Sequence, residues 1–277
     1  MTADGAGWTA RLSLHYTRDG ARSVGRDRHE GPLRVLKTLH PEGPGICHHV
    51  IVHPPGGIVG GDQLHVDVRL DAGTHAVITT PGATRLYRSA GATARQQARL
   101  QVGTDARLEW LPLETIAHAG CIAENRVTLD LAPGAECLGW DLLALGLPAA
   151  GEAFERGSFL QQLELPGAWL ERGLIRGDDH LLLDSPLGLA GHRVLGTLWL
   201  VAGRRWADDR RDALLEAARA LIGDAQAGAT AVHEQVLVLR VLADRVEPAM
   251  QLMQAVRSAW RQAAWGLAAE PPRVWRT

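Results

Sequence analysis

Gln63-Leu64-His65-Val66-Asp67-Val68-Arg69-Leu70 alternates without a break, with Leu64, Val66, Val68 and Leu70 on one face and Gln63, His65, Asp67 and Arg69 on the other. Successive side chains of an extended chain point to opposite faces, so this period of two predicts a strand with one face buried. The pattern recurs on both sides of it, at 11–16, 93–102, 125–131 and 158–165. Shorter apolar runs at 50–52 and 76–78 suit strands covered on both faces. Turn signals separate the runs: Pro54-Pro55-Gly56-Gly57, Gly60-Gly61-Asp62, Asp71-Ala72-Gly73, Pro81-Gly82, Gly103-Thr104-Asp105 and Pro133-Gly134. Many short strands punctuated in this way predict a mainly β fold, either a large antiparallel β-sandwich or a solenoid-like β domain.

The last third reads differently. Leu214, Leu215, Ala218, Leu221 and Ile222 form one stripe of a helix predicted over 208–222, with Gly223 as its stop. Asp208, Asp209 and Asp212 complement the dipole in its first turn. A strand is predicted over 234–242. A second helix is predicted over 248–265, starting near Pro248, with Met250, Met253, Val256, Trp260 and Ala264 as its stripe. No internal repeat, low-complexity tract or long linker interrupts the chain. A single domain over 1–277 is therefore expected, with two α-helices in its C-terminal third and Trp275 docked in a short tail.

Composition removes several functions. A formal net charge of −2 over 277 residues argues against nucleic acid or a membrane surface as partner. Lys37 is the only lysine and follows Leu36, so there is no P-loop, and a nucleotide-driven process would need a partner to hold the nucleotide. Cys47, Cys121 and Cys137 are too few and scattered for a disulfide framework, and no CxxC pair suggests structural zinc. Met1–Trp8 lacks the pattern of a signal peptide, and no run of about 18 apolar residues could span a bilayer. The expected location is the cytoplasm.

No nucleophile–base motif appears. Ser158 and Ser185 lack the flanking glycines of a hydrolase elbow, leaving His53 near Asp62 as the pair an unrecognised hydrolase would use. The glycines of 56–61 lie between strands rather than opening a helix, which argues against a dinucleotide site. Cys47, His48, His49 and His53 could be read as a soft-metal site. On a strand, however, His48 points away from Cys47 and His49, and residues four apart are separated by roughly 13 Å. Carboxylates beside apolar residues are more informative: Glu109, Glu114, Asp141, Glu152 and Glu171. Either each pairs with an arginine or faces solvent, or some line a wet internal passage for a cation.

In the loops, Gly56, Gly57, Gly60 and Gly61 permit positive φ and close backbone approach, and Asp62 is placed to cap the crossing through nearby N–H groups. Thr80-Pro81-Gly82 predicts a type II turn. Tyr87 and Arg88 suit the pinning of a carboxylate or carbonyl.

The run His53-Pro54-Pro55-Gly56-Gly57-Ile58-Val59-Gly60-Gly61-Asp62 resembles the signature of the urease accessory protein UreD (UreH) family. So, in order, do 79–89, Leu108-Glu109-Trp110-Leu111-Pro112, Gly139-Trp140-Asp141 with Gly151-Glu152, and the closing Pro272-Arg273-Val274-Trp275. The resemblance covers about residues 8–277. It implies a nickel-insertion chaperone without catalytic residues or a cofactor of its own. Such a chaperone binds apo-urease, UreF and UreG in one accessory complex, while UreG holds the GTP whose hydrolysis drives nickel delivery. It further implies an internal nickel passage, for which Asp62, Glu114, Asp141 and Glu171 are the candidate carboxylates. Pro55, the four loop glycines, Thr80, Pro81, Gly82, Tyr87, Arg88, Glu109 and Trp110 would then be scaffold. A protein that binds and hands over nickel by itself is the alternative. Among departures from the family pattern, which include Leu113, those at Leu147 and His118-Ala119 bear on local surface charge and partner specificity.

Overall fold

The computed structural model describes residues 7–147 and 150–276; expectations placed on residues 1–6 and on the last residue of the chain fall outside it. The first fourteen strands are β1 (Thr9–Asp19), β2 (Arg22–Glu30), β3 (Arg34–Val35), β4 (Ile46–Val52), β5 (Gln63–Leu70), β6 (His75–Thr79), β7 (Thr84–Leu86), β8 (Ala94–Val102), β9 (Arg107–Leu111), β10 (Thr115–Ala117), β11 (Ile122–Leu131), β12 (Glu136–Leu145), β13 (Ser158–Leu165) and β14 (Trp169–Arg176); of these, β1, β4, β5, β6, β8, β11 and β13 are the segments expected from alternation and short apolar runs. A short helix, α1 (His180–Asp184), leads to β15 (Val194–Ala202), α2 (Asp208–Arg219), β16 (Ala227–His233), β17 (Val236–Ala243) and α3 (Val246–Trp265).

From β4 to β13 the chain winds. β5, β8, β11 and β13 lie side by side in a seven-stranded sheet, while β4, β6, β9 and β12 lie side by side in a ten-stranded one. The backbone passes from one sheet to the other at each crossing and returns in the same direction, so all these neighbours pair in parallel. The mainly β, solenoid-like expectation therefore describes the middle of the molecule. Antiparallel pairing is confined to its flanks: β1 with β2, β3 with β4, β13 with β14, and the β12-β15-β17-β16 run.

Crossings alternate between two ends. At one end they are tight, over 71–74, 103–106 and 132–135, and stack through bonds such as Gly73 N–H to Thr104 C=O at 2.9 Å. At the other they are long, over 53–62, 80–93 and 112–121. Here Ile58, Leu86, Ala117 and Leu145 stand in register from coil to coil, all buried. Burying a side chain the size of Ile58 or Leu86 contributes about 1.5–3 kcal/mol, so the long crossings take part in the core.

Two cores result. One fills the space between the sheets. The other lies between the outer face of the ten-stranded sheet and the helices α2 and α3. Strand β12 serves both, turning Cys137, Leu143 and Leu145 inward and Leu138, Trp140, Leu142 and Ala144 toward the helices.

Some boundaries differ from expectation. The helix read over 208–222 ends at Arg219, because Leu221 and Ile222 N–H groups take i−3 carbonyls in a tightened turn, leaving Leu221 exposed. α3 begins two residues before Pro248, which the first turn tolerates because those N–H groups have no helical partner. Gly266 ends α3 in the left-handed conformation, as its position after the last apolar residue predicts. α1 is a third helix, capped by the Asp179 carboxylate accepting from Leu182 N–H at 3.0 Å. The strand read over 234–242 is β17, and β15 and β16 flank it. Neither alternates clearly: β15 is apolar on both faces and β16 is built largely of small residues. Trp275 is docked, its Nε1–H donating to Thr79 Oγ1 at 2.8 Å. Among the described residues no helix is long and apolar enough to cross a membrane.

Candidate functional site

The long-crossing end gathers the loop motifs. Gly56 and Gly61 adopt φ of +76° and +95°, conformations that strain any side chain. Gly57 and Gly60 have ordinary φ but lie so close to Tyr87 and Ser89 that a Cβ would collide with them. Both uses anticipated for the loop glycines are therefore present, divided between the two pairs. Asp62 is buried and closes the loop: Oδ1 accepts Trp8 N–H at 2.8 Å and Oδ2 accepts Val59 N–H at 3.0 Å. Among the described residues no hydrogen bond or ion pair joins Asp62 to His53, although the Asp62 charge opposes the lowering of the His53 pKa by burial.

The turn at Thr80-Pro81-Gly82 is not of type II, since Gly82 lacks a positive φ. The Thr80 hydroxyl organises it instead, donating to Gly82 C=O at 3.1 Å and accepting Leu113 N–H at 2.9 Å. Tyr87 and Arg88 also depart from expectation. They fall beyond the end of β7 on the outer side of the crossing. Tyr87 stacks on His118 with ring centroids 5.2 Å apart, and Arg88 is exposed and makes no ion pair among the described residues.

Between this loop and this turn lies a cavity of about 200 Å³ at the ends of both sheets, lined by Gly57, Thr80, Pro81, Gly82, Gln96 and Trp110 among others. Pro55 lies exposed in the same loop. Below the cavity the inter-sheet core turns polar along one row. Gln96 on β8, Asn125 on β11 and Gln161 on β13 are register partners and all point inward. Across from them sits Asp141 of β12, 5% exposed, accepting hydrogen bonds from Asn125 Nδ2 and Gln161 Nε2. Burial pushes its carboxyl up to about 6, against the pull of those two amides and with a further push from the Glu171 charge. A carboxylate held by neutral dipoles keeps its negative charge unmatched, which is what a hydrated divalent cation requires of an oxygen ligand.

The candidate carboxylates do not all meet here. Asp62 belongs to the loop beside the cavity, Asp141 to the polar row, and Glu171 to its far side, where it pairs with Arg240. Glu114 lies instead in a groove on the helix side, with Met250 and Trp275. Glu152 pairs with His118 at 3.1 Å. Glu109 faces α3, and Arg257 and His75 bind it; Trp110 turns the other way, into the inter-sheet core. The Cys47–His53 segment splits as alternation demands. His49 bonds Tyr16 at 2.8 Å with Cys47 beside it in the inter-sheet core, while His48 bonds Glu42 at 2.8 Å on the helix side. No group of three or more His, Cys, Asp or Glu suited to hold a metal ion occurs among the described residues.

Gln96, Asn125, Gln161 and Arg240 were not singled out from the sequence. The first three carried a readable signal: each is the one polar residue on the inward face of an otherwise apolar alternation, as in Phe159, Gln161, Leu163 and Leu165.

A family model described as UreD urease accessory protein matches residues 9–276. The chain is similar to a urease accessory protein UreD of Leptothrix cholodnii, 62% identical over 98% of this chain and 99% of the relative. It is also similar to proteins of that description in Verminephrobacter eiseniae, at 58% over 97% and 99%, and in Variovorax paradoxus, at 54% over 98% and 99%.

Proposed function

This chain belongs to the UreD urease accessory protein family, and we propose that it acts as a chaperone of urease metallocentre assembly with nickel as its cargo. It joins UreF and UreG to apo-urease in one cytoplasmic accessory complex. UreG binds and hydrolyses GTP, and nickel passes through the interior of this chain. It carries no cofactor and performs no bond-making step of its own.

One observation carries this reading. Three of the motifs that resemble the family signature, at 53–62, 79–89 and 108–112, line a cavity that reaches Gln96, the first amide of an inter-sheet row whose Asn125 and Gln161 hold a buried carboxylate. Oxygen and amide donors hold a divalent ion weakly enough to release it, as a passage must, whereas thiolates would retain it. The single lysine, which leaves no P-loop, supports placing the nucleotide on a partner. Protein docking as its work is supported by Trp8, Leu170, Leu181 and Leu187, which expose from 60% to 100% of their surface.

The test is co-expression of apo-urease, UreF and UreG with and without this chain, reading urease activity and nickel content. A large gain in both is expected when the chain is present. Equal activation in its absence would overturn the reading.

A further inference from the structure

The polar row does not stop at Asp141. Asp141, Thr197 and Arg240 are successive register partners on β12, β15 and β17, and all three point inward. With strands about 4.8 Å apart, two steps carry the row roughly 10 Å from the buried carboxylate toward the rim of the sheet. There Arg240 meets Glu171, which reaches over from β14, the edge strand of the opposite sheet. Arg240 Nε donates to Glu171 Oε1 at 3.1 Å and Nη2 donates to Oε2, a two-point clasp. The Arg240 side chain is 46% exposed and that of Glu171 24%, so the clasp stands where the interior row meets solvent.

A guanidinium at that point opposes the passage of any cation. As long as Arg240 is clasped there, it places a positive charge across the exit and occupies the acidic group nearest to it. The clasp is easily undone, because partly solvated ion pairs bind weakly; a fully buried pair would be locked. We propose that Arg240 is the gate of the cation path, closing the far end of the inter-sheet row when it holds Glu171. When its side chain swings to solvent, it frees Glu171 to receive the ion. This rests on the nickel-passage reading above and adds to it a residue with a charge-dependent role.

The test uses the full-length chain in the complex with apo-urease, UreF and UreG, at limiting Ni²⁺. It reads the initial rate of nickel transfer together with pull-down of the intact complex. Arg240→Gln removes the opposing charge and should raise the rate about 2–5-fold, whereas Glu171→Gln leaves an unpaired guanidinium in the exit and should lower it about 10-fold or more. The double variant Arg240→Gln/Glu171→Gln, with neither charge, should recover to within about 2-fold of the unaltered chain. A mere structural brace predicts the opposite order: both single changes harmful, and the double no better than either. That result, or an unchanged rate in Arg240→Gln, overturns the gate. Both positions are partly exposed and the replacements neutral, so folding should persist. If Glu171→Gln nevertheless fails to assemble, the direction of Arg240→Gln alone decides. Gln161→Leu, which interrupts the row without touching the clasp, separates the two readings. Normal transfer in that variant, with the complex intact, defeats the passage and the gate together. Blocked transfer without the charge pattern at Arg240 and Glu171 defeats the gate only.

Discussion

Glu109 on β9 and Asp141 on β12 are carboxylates buried in the same sheet on neighbouring strands, but they face different layers. Glu109 points toward α3. Its Oε2 accepts from Arg257 Nε at 2.9 Å, and its Oε1 lies 3.2 Å from both His75 Nε2 and Arg261 Nε. Arg261 also reaches Glu42, itself bonded to His48, so two acids and two arginines balance beneath the helix. Asp141 points between the sheets and meets only amides. Burial raises both groups. For Glu109 the Arg257 charge, with His75 and Arg261, more than reverses it and holds the carboxyl well below its usual range. For Asp141 nothing reverses it. Burial alone therefore does not identify a working carboxylate. The ion cluster fastens the α3 helix to three strands, whereas the amide-held acid retains an uncompensated charge that a cargo ion could use.

The comparison can be broken most forcefully at Arg257. Arg257→Met strands Glu109 without its main counter-charge and should cost about 3–5 kcal/mol in chemical denaturation. Adding Glu109→Gln should restore much of that loss. A cost below about 1 kcal/mol would mean that the cluster does not fasten α3.

Asp141→Asn should do the reverse. A carboxyl raised to about 6 from an ordinary value near 4 binds protons more tightly folded than unfolded. Its presence therefore lowers stability as pH rises from about 4 to 6, and the lower level persists above that range. The asparagine variant should be more stable by on the order of 1–3 kcal/mol at pH 8, with the gain vanishing below about pH 4, while nickel transfer falls. Glu109 has the opposite sign: its contribution is fully present above the ordinary carboxylate range and is lost progressively as pH falls from that range toward the lowered folded value. Thermal melts of Asp141→Asn and Glu109→Gln across pH should thus diverge in slope, and parallel slopes would erase the distinction.

The loop beside the polar row offers a smaller test. Gly61→Val, at φ +95°, should cost about 1–3 kcal/mol of backbone strain and impair urease activation. Gly82→Ala, at ordinary φ with open space around it, should stay within about 0.5 kcal/mol. A large effect at Gly82 would restore the type II turn that the structure replaces with Thr80.

Part of this site was legible in advance. The Asp62 cap and the positive φ of Gly56 and Gly61 follow from turn chemistry, which acts over a few residues. Gln96, Asn125 and Gln161 were legible in principle, as polar breaks at inward positions of three strands, but only pairing makes them neighbours. The interactions that settle the character of each carboxylate lie far along the chain. Arg257 is 148 positions from Glu109, and Gln161 is 20 from Asp141 on the opposite sheet. Arg88, expected to pin a carboxylate, sits past a strand end that its neighbours do not mark.

By itself the sequence determined the strands whose faces alternate, such as β1, β5, β8, β11 and β13, and which face of each is buried, where the long helices start and stop within a few residues, and the family. These follow from local sterics and from the periods of extended and helical chains. The parallel winding was decided only in three dimensions, because alternation is the same whichever way a neighbouring strand runs and direction depends on where each crossing leads. Tertiary structure likewise decided that one buried acid is clamped by arginines and another left among amides, since the partners of a charge are chosen by packing.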